Sequence, residues 1–322
     1  MGLADKADRV GNLGGVGMSN YTREQDSPFA RLQLMADLAR PPQIKFNDLA
    51  SAVNTPVIED NPLNFDVRVD FFRQSDERVI TAFTIQTDNN NLVFQDSGGL
   101  MQAQLNIFGK ITHISGRRAG VFEDPVITRA TPEELADAKE RKSAYQKAVP
   151  LPPGNYKLDV IVRDIASGAT GVRHVGFEVK KYDPAKLSTS TLVLAVKLEG
   201  LGDKPAVGMF TIGNLKVIPN VSGTYHRGSP IGIYMQVYNA GIDQTTLRPS
   251  VDVDYVLLKD GKEIGKQPED WKGNNDSGQR LTLVKLLDSR QLNPGKYTLE
   301  VRVRDRVSGQ DLKQSAEFAI LQ

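Results

Sequence analysis

Residues 153–168 read PGNYKLDVIVRDIASG and residues 294–309 read PGKYTLEVRVRDRVSG, with ten of the sixteen positions identical at a constant offset of 141. In each copy a Pro-Gly turn opens the phrase, and a tyrosine, a leucine and two valines then recur at every second residue. That is the period of a half-buried strand. Ile161 alone breaks the polar side of the first copy. Ser-Gly closes each phrase with a tight turn, and a second apolar-alternating run follows, Val172–Val179 in one copy and Leu312–Ile320 in the other. Each phrase therefore predicts a β-hairpin at the end of a domain, and two copies predict two similar domains.

A turn followed by Gly-x-Tyr and an alternating strand matches the penultimate strand of immunoglobulin-like sandwiches, where a tyrosine hydroxyl reaches back to the preceding corner. Tyr156 and Tyr297 are the candidates for that structural corner; the alternative is that both are ordinary half-buried strand aromatics. Working outward, short strands alternate with turn signals through both halves. In the first, Phe65–Phe72 and Val79–Thr87 alternate, and Gln102–Phe108 and Lys110–Ser115 read as two strands paired about Gly109. In the second, Gly208–Val217, Ile231–Tyr238, Val251–Leu258, Lys262–Lys266 and Leu281–Leu286 fill comparable places, with Asp260-Gly261 as a hairpin turn.

Thr131-Pro132-Glu133-Glu134 is a capping box with proline at the first helical position, and it predicts a helix over 131–148 inserted in the first domain. Glu269–Arg280 stands at the equivalent place of the second as a polar loop holding the chain's one tryptophan, Trp271. The first sixty residues differ in character. Ser27-Pro28 starts a helix that puts Phe29, Leu32, Met35 and Leu38 on one face, Pro41-Pro42 stops it, and Asn47–Val53 is a second short helical stretch. A helix of about twelve residues is marginal alone, so this leader should dock on something.

The expected fold is thus mainly β: two tandem immunoglobulin-like (fibronectin-III-like) antiparallel β-sandwiches behind a short helical N-terminal leader. The leader spans 1–60, the first sandwich 61–182, a linker 183–190 and the second sandwich 191–322.

The 322 residues carry a net charge of +1, which lacks the concentrated basic face of a nucleic-acid binder. No apolar run approaches the ~20 residues of a membrane helix. The polar start MGLADKADRV lacks a signal peptide's apolar core. Absence of cysteine removes disulfides, thiolate metal sites and cysteine nucleophiles, and the three histidines (His113, His174, His226) have no metal-ligand spacing. No metal or cofactor is expected. Asp88 with its asparagines, the pair Asp252 and Asp254, and Asn274–Asp276 are oxygen donors without EF-hand spacing, which turn chemistry explains equally well. Glu123-Asp124 and Glu269-Asp270 are acidic pairs at comparable places, but neighbouring strand residues point to opposite faces, so neither supplies a glycosidase's facing carboxylates. Arg163-Asp164 and Arg304-Asp305 read as a turn acid with a neighbouring surface arginine.

The runs VDFFRQSDERVITAFTIQTDN, LNIFGKITHISGRRAGVFEDPV, YDPAKLSTSTLVLA and AVGMFTIGNLKVIPNVSGTYHRGSPIGIYMQVYNAGID resemble the C-terminal sandwich region of GWxTD-domain proteins, over roughly residues 20–322. These are predicted exported proteins without an established activity. The Gly-Trp-x-Thr-Asp motif itself is absent, Trp271 lying in EDWKGN, so the role of the motif-bearing domain does not carry over. The resemblance implies a cell-envelope setting, periplasmic or extracellular.

The leading expectation is a non-enzymatic structural or interaction protein. Its partner would be itself, as a homo-oligomer or polymer joined through the leader helix or sheet edges, or another envelope protein. The alternative is a glycan-binding module using corner aromatics, with Trp271, Tyr225 and Tyr238 as candidates. A hydrolase with dispersed carboxylates at Glu123 or Glu269 stands third, and no catalytic residue is nominated.

Overall fold

Seven long strands follow one another in the first half of the chain: β1 (Asp66–Arg73), β2 (Val79–Asp88), β3 (Leu100–His113), β4 (Arg118–Ala130), β5 (Lys142–Leu151), β6 (Gly154–Asp164) and β7 (Thr170–Val179). Seven more occupy the second: β8 (Val193–Gly200), β9 (Pro230–Tyr238), β10 (Val251–Lys259), β11 (Lys262–Trp271), β12 (Arg280–Asp288), β13 (Gly295–Asp305) and β14 (Asp311–Leu321). The computed structural model describes residues 49, 63–202, 208–271, 275–277 and 280–322. The chain is mainly β, as its alternation requires. The leader helix with Phe29, Leu32, Met35 and Leu38 lies outside the described residues; of the leader only Leu49 is described, helical and buried.

Strand order is the same in both halves. β1-β2-β5 form one antiparallel sheet and β4-β3-β6-β7 another. In the second half β8-β9-β12 run side by side, and β11-β10-β13-β14 form the companion sheet. The two copies of the repeated phrase are β6 and β13, at the same position in the corresponding sheet of each half. Alternate residues of each sheet meet in a shared interior. Phe83, Ile107, Ile111, Leu158 and Val160 belong to the first buried cluster, and Ile231, Met235, Val253, Leu283 and Val301 to the second. Each such side chain stabilises the fold by about 1.5–3 kcal/mol relative to exposure. Ile161, the residue that breaks the polar side of β6, is fully buried opposite a buried Phe108 across the ladder.

Three local expectations change. The helix placed over 131–148 is only six residues, α1 (Leu135–Glu140), and the remainder is strand β5. The capping box is made: Thr131 N donates to Glu134 Oε2 and Glu134 N to Thr131 Oγ1, each 3.3 Å. Tyr145 and Val149, four apart, share a face under either period. Ten register pairs with β2 decide for strand, and Ser143, Tyr145 and Leu151 turn inward. Gly109 is not a turn but lies inside one continuous strand, β3, opposite Phe122. A side chain there would meet the Phe122 ring at 2.1 Å, so the ring occupies the space that glycine leaves. Glu269–Trp271 ends strand β11 instead of forming a loop. The Asp260-Gly261 turn is as expected, with both residues at positive φ (51° and 76°), the geometry of a two-residue hairpin.

Residues Phe46–Gln322 form one compact unit, so the two halves do not hang on a free linker. Ser188 and Thr189 pair with Tyr238 and Val237, and the Asn239 side chain holds the carbonyls of Asp183 and Lys186. Among the described residues no helix is long and apolar enough to cross a membrane.

Candidate functional site

The outward faces of two sheets meet between the halves. On β1 and β2 the outward residues include Phe72, Ile80 and Ala82; on β8 and β9 they include Val193, Ala195 and Tyr234. Phe72, Ala82, Val193, Ala195, Val217 and Tyr234 form a third buried cluster, with Ile80, Leu198, Ile212 and Leu215 against it. The Phe72 and Tyr234 rings meet edge to face at 6.2 Å. Hydrogen bonds run along the same seam. Thr191 N donates to Phe71 O (3.0 Å) and Phe71 N to Thr191 Oγ1 (2.9 Å). Arg73 N donates to Tyr238 Oη (3.0 Å), Arg73 Nη1 to Asn239 Oδ1 (2.6 Å) and Phe210 N to Gln146 Oε1 (3.0 Å).

A buried ion pair sits at one end of the seam. Asp70 is 1% exposed and accepts from Arg68 Nε at 2.9–3.0 Å, while Arg68 Nη2 donates to Leu192 O across the seam at 3.1 Å. Burial pushes the Asp70 carboxyl above its ordinary range, against the pull of the Arg68 guanidinium. Removing Arg68 would leave the buried Asp70 carboxylate without its partner.

At the other end the two sheets diverge into a cleft of about 600 Å³. Its walls come from β1, β2, β5, β9, β12 and the hairpin at residues 211–215. Gln236 lies in the wall as part of a buried chain. Its Nε2 donates to Tyr234 Oη (2.7 Å), and its Oε1 accepts from Tyr238 Oη (2.6 Å). Burial pushes the Tyr238 hydroxyl well above its ordinary value, so it stays a neutral donor. Gln146 is fixed likewise, donating to Thr84 Oγ1 (3.1 Å) while it accepts from Phe210 N. A second hollow of about 510 Å³ shares Gln146, Ala148 and Thr211 with the cleft and contains Asp124. There Tyr145 Oη donates to Asp124 Oδ2 (2.5 Å) and Lys147 Nζ lies 3.4 Å from the same oxygen. Burial, then Asp124, drives the Tyr145 hydroxyl far up, away from any role as a base near neutral pH. Among the described residues no three or more of His, Asp and Glu are placed to hold a metal ion. Such an arrangement can bind and orient a ligand.

A third hollow, about 690 Å³, lies over the β10–β14 face and is lined by Asp252, Asp254, Glu269 and Asp311 against Arg302, Arg304 and Lys313. These charges pair among themselves and with neighbours, as in Arg304–Asp311 and Lys266–Asp254. The face is therefore already neutralised.

The residues singled out from sequence fall in different places. Tyr156 Oη donates to Pro152 O (2.9 Å) and Tyr297 Oη to Asn293 O (2.6 Å), each four residues upstream across the turn. Tyr225 and Tyr238 are each 3% exposed, so neither can present a ring face to a sugar. Neither is on an open corner: Tyr225 lies on a three-residue strand paired with the β14 edge, and Tyr238 ends β9 at the seam. Trp271 pairs with Val251 at the end of β11, and its side chain lies outside what is described. Asp164 and Asp305 are turn acids, as expected, and both are wholly buried. Asp164 accepts from Val93 N, Ala166 N and Ser167 Oγ; Asp305 accepts from Gly241 N, Val307 N and Ser308 Oγ. Each repeated Asp thus pins its own turn to a loop that follows β2 or β9. The cleft residues Arg73, Gln146, Gln236 and Arg280 were not nominated from sequence. The one available signal was Gln236, a long polar residue inside IGIYMQVY, all of which is buried.

The molecule is thus a mainly β protein of several sheets. No family model matches the chain, and no curated protein matches it. Solved structures it is similar to include red sea bream transglutaminase, with 8% identity over 80% of this chain and 31% of that one and a TM-score of 0.23. Another is a Bacteroides uniformis beta-glucuronidase, with 10% identity over 39% of this chain and 14% of that one and a TM-score of 0.26. The chain spans less than a third of either, and neither likeness carries weight for its fold name or activity.

Proposed function

We propose that residues 61–182 and 191–322 are tandem immunoglobulin-like, fibronectin-III-like sandwiches. They form a non-enzymatic structural or interaction protein of the cell envelope or extracellular space. The observation that carries the reading is the seam. A third apolar cluster and a line of hydrogen bonds hold two similarly ordered pairs of sheets in fixed relation, which suits a rigid spacer. The identical strand order and the two tyrosines bonded across equivalent turns support the immunoglobulin-like assignment. The setting rests on the resemblance to GWxTD-domain proteins.

Self-assembly belongs to the leader rather than to the β11 edge. That strand carries Lys262, Lys266 and Pro268 beside an exposed Ile264, and charge with proline is how natural edges refuse a further strand. Mass against concentration by light scattering tests this for the full chain and for its Leu32→Asp, Met35→Asp double variant. A mass that rises with concentration in the natural chain and stays monomeric in the variant is expected. A natural chain that remains monomeric at high concentration refutes the assembly role.

A further inference from the structure

We propose that Leu49 seats on the outward face of β3 and β6, against Phe108 and Ile161, and so anchors the leader to the first half of the chain. The inference stands on a difference between the two halves and does not depend on the role proposed above.

Ile161 breaks the polar side of the repeated phrase, and its counterpart at the offset of 141 is Arg302. The two stand at the same place in their sheets. Ile161 pairs with Phe108 on β3 and Val172 on β7, and Arg302 pairs with Asp254 on β10 and Lys313 on β14. Both rows face outward, because the flanking Ile107, Val160, Val253 and Val301 point into the two interiors. In the second half the row is charged and meets water, with the Arg302 side chain 43% and that of Lys313 58% exposed. In the first half Ile161 is 0% and Phe108 2% exposed. Cross-strand neighbours stand beside a ring and not over it, so burial this complete requires a cover. Neither residue belongs to any of the three apolar clusters, so the companion sheet and the seam do not supply it.

Leu49 meets the requirement. It is helical and 1% exposed, it too is absent from the three clusters, and it falls in the compact unit that begins at Phe46. The entry to β1 opens onto this face. Arg173 on β7 donates from Nε to Phe65 O (3.2 Å) and sets its guanidinium over the Phe65 ring, so the start of β1 stands beside the β7 edge. From there β6 and β3 lie one and two strand spacings inward, a path of about 25 Å once the sheet thickness is added. The chain between Leu49 and Leu63 can span up to roughly 45 Å. An apolar side chain laid on an apolar pair removes both from water, and the charged row of the second half offers no such seat.

The chain has no cysteine, so one introduced thiol reports the cover by its rate of reaction with a water-soluble disulfide reagent. In the full chain Ile161→Cys should react far more slowly than Arg302→Cys, its counterpart in the second half. Adding Leu49→Asp should speed Ile161→Cys by about tenfold or more, and leave Arg302→Cys and the inward Val160→Cys as they were. The protection should not change with chain concentration. If Leu49→Asp makes Val160→Cys react as well, the whole chain has opened, and p-benzoylphenylalanine at position 49 of the otherwise natural chain then decides. Irradiation should join it to β3 or β6 of the same chain. An Ile161→Cys as reactive as Arg302→Cys, a rate unmoved by Leu49→Asp in a chain that stays folded, or a photoadduct to the second half would overturn the assignment. Protection lost on dilution, or a photoadduct to another molecule, would overturn it in favour of a cover supplied by a second copy.

Discussion

Replacing Asp305 is the sharpest probe of why the repeated phrase ends in Arg-Asp. Its carboxylate is wholly buried and accepts Gly241 N at 2.9 Å and Ser308 Oγ at 2.6 Å on one oxygen, and Val307 N at 2.9 Å on the other. Alanine would leave these three donors without their acceptor. A buried donor so stranded costs ~1–3 kcal/mol, and partial entry of water reduces the sum, so a loss of about 3–5 kcal/mol is expected. Against a net stability of ~5–15 kcal/mol for a folded protein, that is a large fraction. Asparagine keeps the oxygen facing Val307 but sets an N–H against the Gly241 N–H, and about 2 kcal/mol is expected.

Urea unfolding measures the loss, and amide exchange locates it. The Gly241 amide should exchange much faster in Asp305→Ala while the Val93 amide, held by Asp164, does not change. The effect depends on pH with a definite sign. Burial pushes the Asp305 carboxyl up, but its bonds from Ser308, Gly241 and Val307 outweigh this and hold it below its ordinary value. The ionised form therefore favours the folded state above the ordinary carboxylate pKa. That contribution disappears as pH falls through the lower folded value, so the gap between the natural chain and Asp305→Asn should narrow below about pH 4. A loss under ~1 kcal/mol for alanine, or an unchanged Gly241 amide, would show that the carboxylate is not what ties turn to loop.

Tyr297→Phe keeps the ring stacked on Phe318 but removes the bond to Asn293 O, so urea unfolding should show a loss of about 1 kcal/mol; Tyr156→Phe should match it at Pro152. Gly109→Ala forces the Phe122 ring to move and should destabilise by about 1–3 kcal/mol, an effect that Phe122→Leu in the same chain should relieve. Ala82→Arg places a charge in the seam cluster, and small-angle scattering should report a larger radius of gyration than in the natural chain if that cluster holds the halves together.

The identity of the strands was legible because their signals are local. Alternation, the Asp-Gly turn and the capping box each act within a few residues, and each is present in the structure. Local signals failed where two periods coincide. Residues 142–151 satisfy a helical stripe and a strand face alike, and only pairing with β2, more than fifty residues away, separates them. Gly109 looked like a break because sequence does not reveal that a ring thirteen residues later fills the missing side chain's place.

The sequence by itself determined that the chain is β-rich, that one phrase recurs at an offset of 141, and where most turns fall, because backbone sterics and the two-residue period are properties of neighbouring residues. Tertiary structure alone decided which of the outward-facing residues are outside. Arg68, Asp70, Phe72, Ala82, Tyr234, Gln236 and Tyr238 all occupy positions that a single sheet would expose to water, and they are covered because a second pair of sheets packs on them. Whether an outward face meets solvent, a seam or a cleft depends on what lies across it, and that information is shared between residues 68–82 and 190–238 rather than held in either.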